Sequence, residues 1–402
     1  MRGKYLLKTA VILALMFPLL GSSCPQQHAP DGADLLVAFP DYSAAPVMRV
    51  KLSEASKRAT LKVLTRDGLL RLDGASRKLP GQVTINLAGG CVNVGDQSAD
   101  SVEIESAVAP ECFEVDGRVY RGKLRIIANK DGWEVINVVD MEQYIAGVIG
   151  WEMLRDWPVE ALMAQAVASR TYALFTMQER RKSGEQWDLD DSTRFQVYGG
   201  VGPADNPRLW RESAHVLEAR KATSGKVMVY KGKCFKAFFH STSGGKTTSP
   251  DVAFGNPGSI EPLGGANLAD YCKDSPRYNW TSRLGRGELN ARCIENRLGI
   301  NEAMKIETLE AAPSGHAITL RIYEPSGAAK NISAIEFRRV MGLPSTIFTA
   351  AREGDEWVFS GHGYGHGCGM CQWSARGMAL AGWDHMRILK AMYPGSAVQT
   401  LY

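Results

Sequence analysis

Residues 140–173 read Asp-Met-Glu-Gln-Tyr-Ile-Ala-Gly-Val-Ile-Gly-Trp-Glu-Met-Leu-Arg-Asp-Trp-Pro-Val-Glu-Ala-Leu-Met-Ala-Gln-Ala-Val-Ala-Ser-Arg-Thr-Tyr-Ala. The stretch holds two helices and the turn between them. Asp140 stands at a natural N-cap, and Gln143 takes the capping-box position three residues on. The first helix runs to Glu152. Trp157-Pro158 opens the second, where proline's missing N–H costs nothing in the first turn. That helix extends to about Lys182. Its centre is small-sided, with Ala161, Ala164, Ala166, Ala168, Ser169 and Ala173. Small side chains let neighbouring elements approach closely, which predicts a central place in the fold.

The texture differs on either side. Upstream, residues 36–139 give short aliphatic and β-branched runs parted by Gly, Asp and Asn: Val47–Leu52, Thr60–Val63, Val83–Leu87, Val102–Ile104, Leu124–Ile127 and Glu134–Val139. Downstream, a short helix is expected near Arg211–Arg220 and two strands flank Lys231-Gly232-Lys233. A helix follows near Gly287–Leu298, then strands over 303–339, and helices near 334–341, 372–381 and 384–393. The fold class is α+β: a helical core with mixed sheets, preceded by a smaller β-rich domain. The expected organisation is a signal segment over 1–24, a tether over 25–35, a β-rich domain over 36–119 and the main domain over 120–402.

The opening residues carry Arg2, Lys4 and Lys8, then an apolar stretch from Thr9 to Leu20 and the small residues Gly21, Ser22 and Ser23 before Cys24. This is the pattern of an export signal. Cys24 is a candidate lipid-attachment site, with plain cleavage as the alternative. The whole chain has 47 Lys and Arg against 43 Asp and Glu; without the three signal cations the balance is 44 to 43. So even a balance argues against nucleic acid as the partner and better suits a neutral polymer.

Seven cysteines follow Cys24, and export permits disulfides. Cys91 with Cys112 and Cys272 with Cys293 are local pairing candidates. Cys368-x-x-Cys371 reads as a disulfide, a redox pair or half a zinc site. Cys234 is the candidate unpaired thiol.

Residues 361–369 alternate Gly-His-Gly-Tyr-Gly-His-Gly-Cys-Gly. Glycine so spaced suits neither helix nor ordinary strand. It suits backbone that must pass close to a ligand or adopt positive φ, delivering His362, Tyr364, His366 and Cys368 to a helix that begins at Gln372.

Glu152 is the first chemical candidate. It ends a helix among Ile149, Trp151, Met153 and Trp157, and apolar surroundings raise a carboxyl's pKa into the range of a general acid. The plainer alternative is a helix-terminal Glu facing water. Arg170 sits in a small apolar stretch, so its guanidinium needs a carboxylate or ligand; it orients a substrate or bridges two helices. Gln165, Ser169 and Tyr172 share its helix and lie one turn apart, lining a groove or packing. A strand delivers His240 to the Ser/Gly-rich turn Ser241-Thr242-Ser243-Gly244-Gly245. Adjacent His240 and Ser241 on a strand face opposite sides, which argues against a serine nucleophile.

Together these segments resemble the SpoIID/LytB family of bacterial cell-wall proteins. The matching pieces are Tyr144-Ile145-Ala146-Gly147-Val148-Ile149 leading to Glu152-Met153, Trp157 through Ala173, and Gln196-Val197-Tyr198-Gly199-Gly200. His240 through Gly245, Glu336-Phe337-Arg338, and Gly363 through Gln372 complete the series, in the family's order over roughly residues 120–395. The resemblance implies a lytic transglycosylase acting on peptidoglycan glycan strands, alone or beside other cell-wall hydrolases, in the cell envelope. It implies Glu152 as the catalytic carboxyl, and Arg170, Tyr172, Gln196, His240, Ser241, His366 and Gln372 as groove residues. Arg170 and Gln196 would orient Glu152 or the sugar; His240 and His366 would hold hydroxyl and N-acetyl groups; Trp151, Trp157 and Tyr364 would stack on sugar rings. No cofactor and no nucleic acid are expected, and membrane contact only through a lipidated Cys24. Some relatives hold a metal through a Cys and a His in the His-Ser-Thr loop. Ser243 and Lys246 stand at those places here, so zinc is not expected. Cys371 replaces the usual Ser before Gln372, and a disulfide with Cys368 is expected to brace the loop.

Overall fold

The computed structural model describes residues 35–38, 42–72, 75–108, 111–255 and 258–402. The signal-like segment, Cys24 and all but the end of the tether lie outside the described residues. Among the described residues, no helix is long and apolar enough to cross a membrane.

Two seven-stranded sheets build the first part of the chain. Strands such as Thr60–Thr65, Ser101–Ser106 and Lys123–Asn129 alternate buried and exposed positions. Leu61, Val63, Val102, Ile104, Leu124 and Ile126 therefore point to one shared core. The sheets do not stop at residue 119. Lys123–Asn129 pairs with Gly132–Asp140, and both lie inside the second sheet. Two later segments add an edge to each sheet. Leu189–Asp190 pairs in parallel with Val50 and Lys51, and Gly202–Pro203 pairs with Arg118 and Val119. Asp188, fully buried, fixes the first of these edges by accepting from the Arg49 backbone N–H and guanidinium and from Arg181.

The last strand turns directly into the helix Met141–Glu152, whose cap Asp140 accepts from the Glu142 and Gln143 N–H groups. The second helix is Val159–Lys182, with Pro158 as its N-cap. Every residue from Ala161 to Met177 is buried. This is the central helix that the small side chains predict: it packs on the first helix, on the strand Lys226–Tyr230 and on two helices near the C-terminus, Gln372–Leu380 and His385–Met392.

One hydrophobic core spans all of this, from Val37 to Tyr393. A second, separate core lies within residues 280–359 around Trp280, Phe337, Trp357 and Phe359. That unit is an insertion. Its two ends meet where Asn279 pairs with His362, closing the strands Asn279–Gly285 and Glu356–His362. The chain it interrupts resumes as a parallel pair, Phe239 beside Met370 and His240 beside Cys371.

Candidate active site

The first helix delivers Glu152 at its last position, and two other segments converge on the carboxyl. The Val197 N–H donates to Oε1 at 2.7 Å, and the Gln372 amide Nε2 donates to Oε2 at 3.3 Å. Burial pushes the Glu152 pKa up to about 7, against the lowering effect of those two donors. No neighbouring charge contributes. The residue is nevertheless only partly buried. A carboxyl crowded by protein yet reachable by water lies at the floor of a recess.

The floor is fixed by a chain of amides and hydroxyls. Gln372 Nε2 also donates to Gln165 Oε1 at 3.4 Å, and Gln165 Nε2 donates to Ser169 Oγ at 2.8 Å. Gln196 Nε2 donates to the Ser169 carbonyl, and Tyr144 OH donates to Gln196 Oε1. Each of these side chains is buried and satisfied, so the Gln372 amide is held with its N–H groups toward Glu152. Aromatic rings stand beside the recess. Trp373 follows Gln372 and meets Trp157 edge-on, with ring centroids 5.0 Å apart and the Arg376 guanidinium 5.3 Å from the Trp373 ring.

The expected groove residues separate into three groups. Gln372 touches Glu152, and Gln196 pins the segment whose next residue, Val197, donates to it. Ser241 supports the start of the Gln372–Leu380 helix, its carbonyl accepting from the Trp373 N–H at 3.1 Å. Arg170 is a correction. Its guanidinium is wholly buried and makes two 2.8 Å bonds to Glu142 and one of 2.9 Å to the Lys226 carbonyl. Glu142 also accepts from Tyr402 OH at 2.6 Å. Arg170 therefore ties the two helices to the C-terminus, wholly buried and away from any solvent-facing groove. Tyr172 is likewise a core residue, fully buried against Phe238 and Phe239.

His240 and His366 form the third group, a cluster beneath the glycine loop, with ring centroids 5.4 Å apart. His366 Nδ1 accepts the Cys368 N–H at 3.0 Å, and its Nε2 lies 2.9 Å from the Phe239 carbonyl. Those partners require the neutral Nε2–H tautomer and use both ring nitrogens. His240 Nδ1 meets the Cys368 carbonyl at 3.1 Å. Burial lowers His240 to about 4 and His366 well below its usual value. His316, which the sequence gave no reason to select, joins them, lowered by burial to about 3. Hydroxyl binding by His366 is thus corrected too, because its polar atoms are spent on backbone.

The glycines serve the same cluster. Gly363, Gly365, Gly367 and Gly369 all have positive φ. A Cβ at Gly369 would lie 1.9 Å from the Phe238 carbonyl oxygen, and one at Gly367 would lie 2.2 Å from His316 Nε2. The close approach demanded by the alternating pattern is to the chain's own residues 238–244 and to His316 rather than to a ligand.

The cysteine pairings also change. All seven described cysteines are thiols. The strands bearing Cys91 and Cys112 are separated by two others in their sheet. That spacing of roughly 14 Å exceeds disulfide reach. Cys272 belongs to the main core and Cys293 to the second. Cys371 engages Ser243 and Ser374 rather than Cys368: its sulfur accepts their N–H groups at 3.2 and 3.3 Å. Ser243 Oγ is occupied by the Gly245 N–H and Cys272, and Lys246 is exposed. These two places do not fit a zinc site. Among the described residues, no three His, Cys, Asp or Glu side chains gather as metal ligands.

The family profile described as Stage II sporulation protein matches residues 129–230, and a second, described as a domain of unknown function, matches 267–369, close to the inserted unit. The chain belongs to the SpoIID/LytB family, and its function is cell-wall related. It is 34% identical to an uncharacterized protein of Brachyspira hyodysenteriae over 70% of this chain and 73% of that one. It is 27% identical to the stage II sporulation protein D of Bacillus subtilis, over 65% of this chain and 74% of the relative. The amidase enhancer of Bacillus subtilis is 25% identical, with 76% of this chain matching 53% of the relative.

Proposed function

We propose that the protein is an exported peptidoglycan lytic transglycosylase that cleaves glycan strands between N-acetylmuramic acid and N-acetylglucosamine, with Glu152 as the general acid and base. One observation carries this reading: the Glu152 carboxyl is held by the Val197 N–H at 2.7 Å and the Gln372 amide at 3.3 Å, where burial raises it to about 7. A hydrolase of the usual kind needs two carboxyls within roughly 5–9.5 Å. The groups that hold Glu152 are the Val197 N–H and the Gln372 amide rather than a partner carboxylate, which suits a reaction whose nucleophile belongs to the substrate.

In the first step the protonated carboxyl donates its proton to the leaving glycosidic oxygen as the bond from C1 breaks. The carboxylate then accepts the proton of the muramyl C6 hydroxyl, whose oxygen bonds to C1 of the same sugar. The product is a 1,6-anhydro end, and no water is consumed. An intramolecular hydroxyl is present at high effective concentration, so no second carboxylate is needed to activate water. The Val197 N–H and the Gln372 amide stabilise the carboxylate formed midway. Trp373, partly exposed and backed by the buried Trp157, offers an apolar face for a pyranose ring.

The test is product analysis on glycan strands stripped of stem peptides. Anhydro ends, lighter by one water than hydrolytic ends, are expected from the wild type and not from Glu152→Gln. Hydrolytic ends would point to a water-using glycosidase. A second reading is favoured by the relative named an amidase enhancer. In it, the same recess grips glycan without cutting. Strand binding by both proteins, with new ends from neither, would establish that alternative.

A further inference from the structure

Cys272 and Cys371 come from distant parts of the sequence, one in the turn after Leu268 and the other just before Gln372, and both are wholly buried. Their side chains are within hydrogen-bond reach of each other. Ser243 bridges them: its Oγ lies 3.6 Å from Cys272 Sγ, and its N–H donates to Cys371 Sγ at 3.2 Å. Around this contact three segments are joined by single polar bonds. Thr242 Oγ1 meets Ser275 Oγ at 2.7 Å, and the Cys371 thiol donates to the Ser241 carbonyl at 3.5 Å. The Tyr271 carbonyl presses against Gly377, where an added Cβ would lie 2.0 Å away.

We propose that Cys272 and Cys371 are oxidised to a disulfide that staples the 271–275 turn to the start of the Gln372–Leu380 helix. This inference stands apart from the transglycosylase reading and needs only the chain's wall-side location. The oxidant is a disulfide of a thiol–disulfide exchange protein. One cysteine thiolate attacks it, releasing one thiol and forming a mixed disulfide. The other thiolate then attacks the first cysteine's sulfur, so the Cys272–Cys371 bond forms and the second thiol leaves. Two protons and two electrons leave the pair, and the oxidant's disulfide is reduced to two thiols. Because both sulfurs are sealed in the finished fold, the exchange occurs before this part of the core closes.

The test uses the full chain isolated from an oxidising compartment, acid-quenched, then alkylated in denaturant without reductant and digested. The expected result is one linked peptide carrying both cysteines, two hydrogens lighter than its reduced halves, with Cys234 and Cys293 alkylated. Complete alkylation of both Cys272 and Cys371 would overturn the proposal, as would one metal ion per chain released only when both are modified. Adding reductant is expected to lower the wild-type melting temperature by about 5 °C or more and to leave a Cys272→Ser, Cys371→Ser double variant unmoved. An unchanged wild-type melting temperature would overturn the stapling. Should the double variant fail to fold, the wild-type peptide map still decides the question.

Discussion

The recess around Glu152 and the histidine cluster under the glycine loop meet at neighbouring residues, Gln372 bonding Glu152 and Cys371 pairing with His240, yet they differ in what their polar atoms are free to do. Glu152 keeps a path to solvent, and its two donors leave a lone pair on each oxygen. His366 has both ring nitrogens committed to backbone, and His240 is 5% exposed. A side chain does chemistry on a substrate when its reactive atom is both tuned and reachable. The ring nitrogens of His366 are spent on backbone and His240 is buried, so the cluster's work is to hold the glycine loop against residues 238–244.

The largest effect should fall on Glu152. In Glu152→Gln the release of anhydro ends is expected to drop about 10²–10⁴-fold, the usual worth of a general acid, with folding retained. Retention of more than a tenth of wild-type turnover would break the comparison at its stronger end. Arg170→Met tests the opposite role. It leaves Glu142 charged, with its two guanidinium bonds gone, and should cost about 3–5 kcal/mol in denaturant unfolding. Loss of activity at full stability would restore Arg170 to the groove.

His366→Ala should remove about 2–3 kcal/mol, because the Cys368 N–H and Phe239 carbonyl lose their partner in the core. A variant of unchanged stability with reduced glycan affinity would instead make His366 a binding residue.

The two regions also predict opposite slopes with pH. His240, His316 and His366 all have lowered pKa values, so below the ordinary value of 6.5 the unfolded chain binds more protons than the native one. The stability they contribute is complete above 6.5 and falls as the pH drops toward 4. Glu152 is raised, so between 4.5 and 7 the native state binds more protons, and stability falls as pH rises through that window. Chemical denaturation of wild type and Glu152→Gln across pH 4–8 separates the two, and a common slope in both proteins would show that Glu152 is not perturbed. The rate profile is expected to fall above about pH 7 as the acid ionises. The smallest effect belongs to Gln372→Met. Losing a donor to the carboxylate should raise the Glu152 pKa and move that alkaline limb upward by roughly half a unit. A limb that stays in place would remove Gln372 from the acid's environment.

Much of this was legible in the residues themselves. Local signals were enough wherever the physics was local. Asp140 caps its helix through bonds to the next residues, and Gln372–Leu380 starts where the glycines stop. The small-sided run from Ala161 to Ala173 is buried as its volumes require. A raised Glu152 was expected from its apolar neighbours in sequence, and burial does raise it, though the donors that hold it, Val197 and Gln372, come from far along the chain.

What the sequence could not supply was the identity of partners brought from far away. Nothing near Arg170 marks Glu142 as the carboxylate that answers it, since the two sit on different helices. Nothing near Cys371 marks Cys272, and local spacing suggested Cys368 instead. The glycine alternation declared a close approach without saying to what, and only the folded chain showed Phe238 and His316 on the other side. Composition and period fix which elements form, because those depend on a few adjacent residues. The assignment of a buried charge, thiol or imidazole to its partner depends on which elements pack together, and that is settled by the tertiary structure alone.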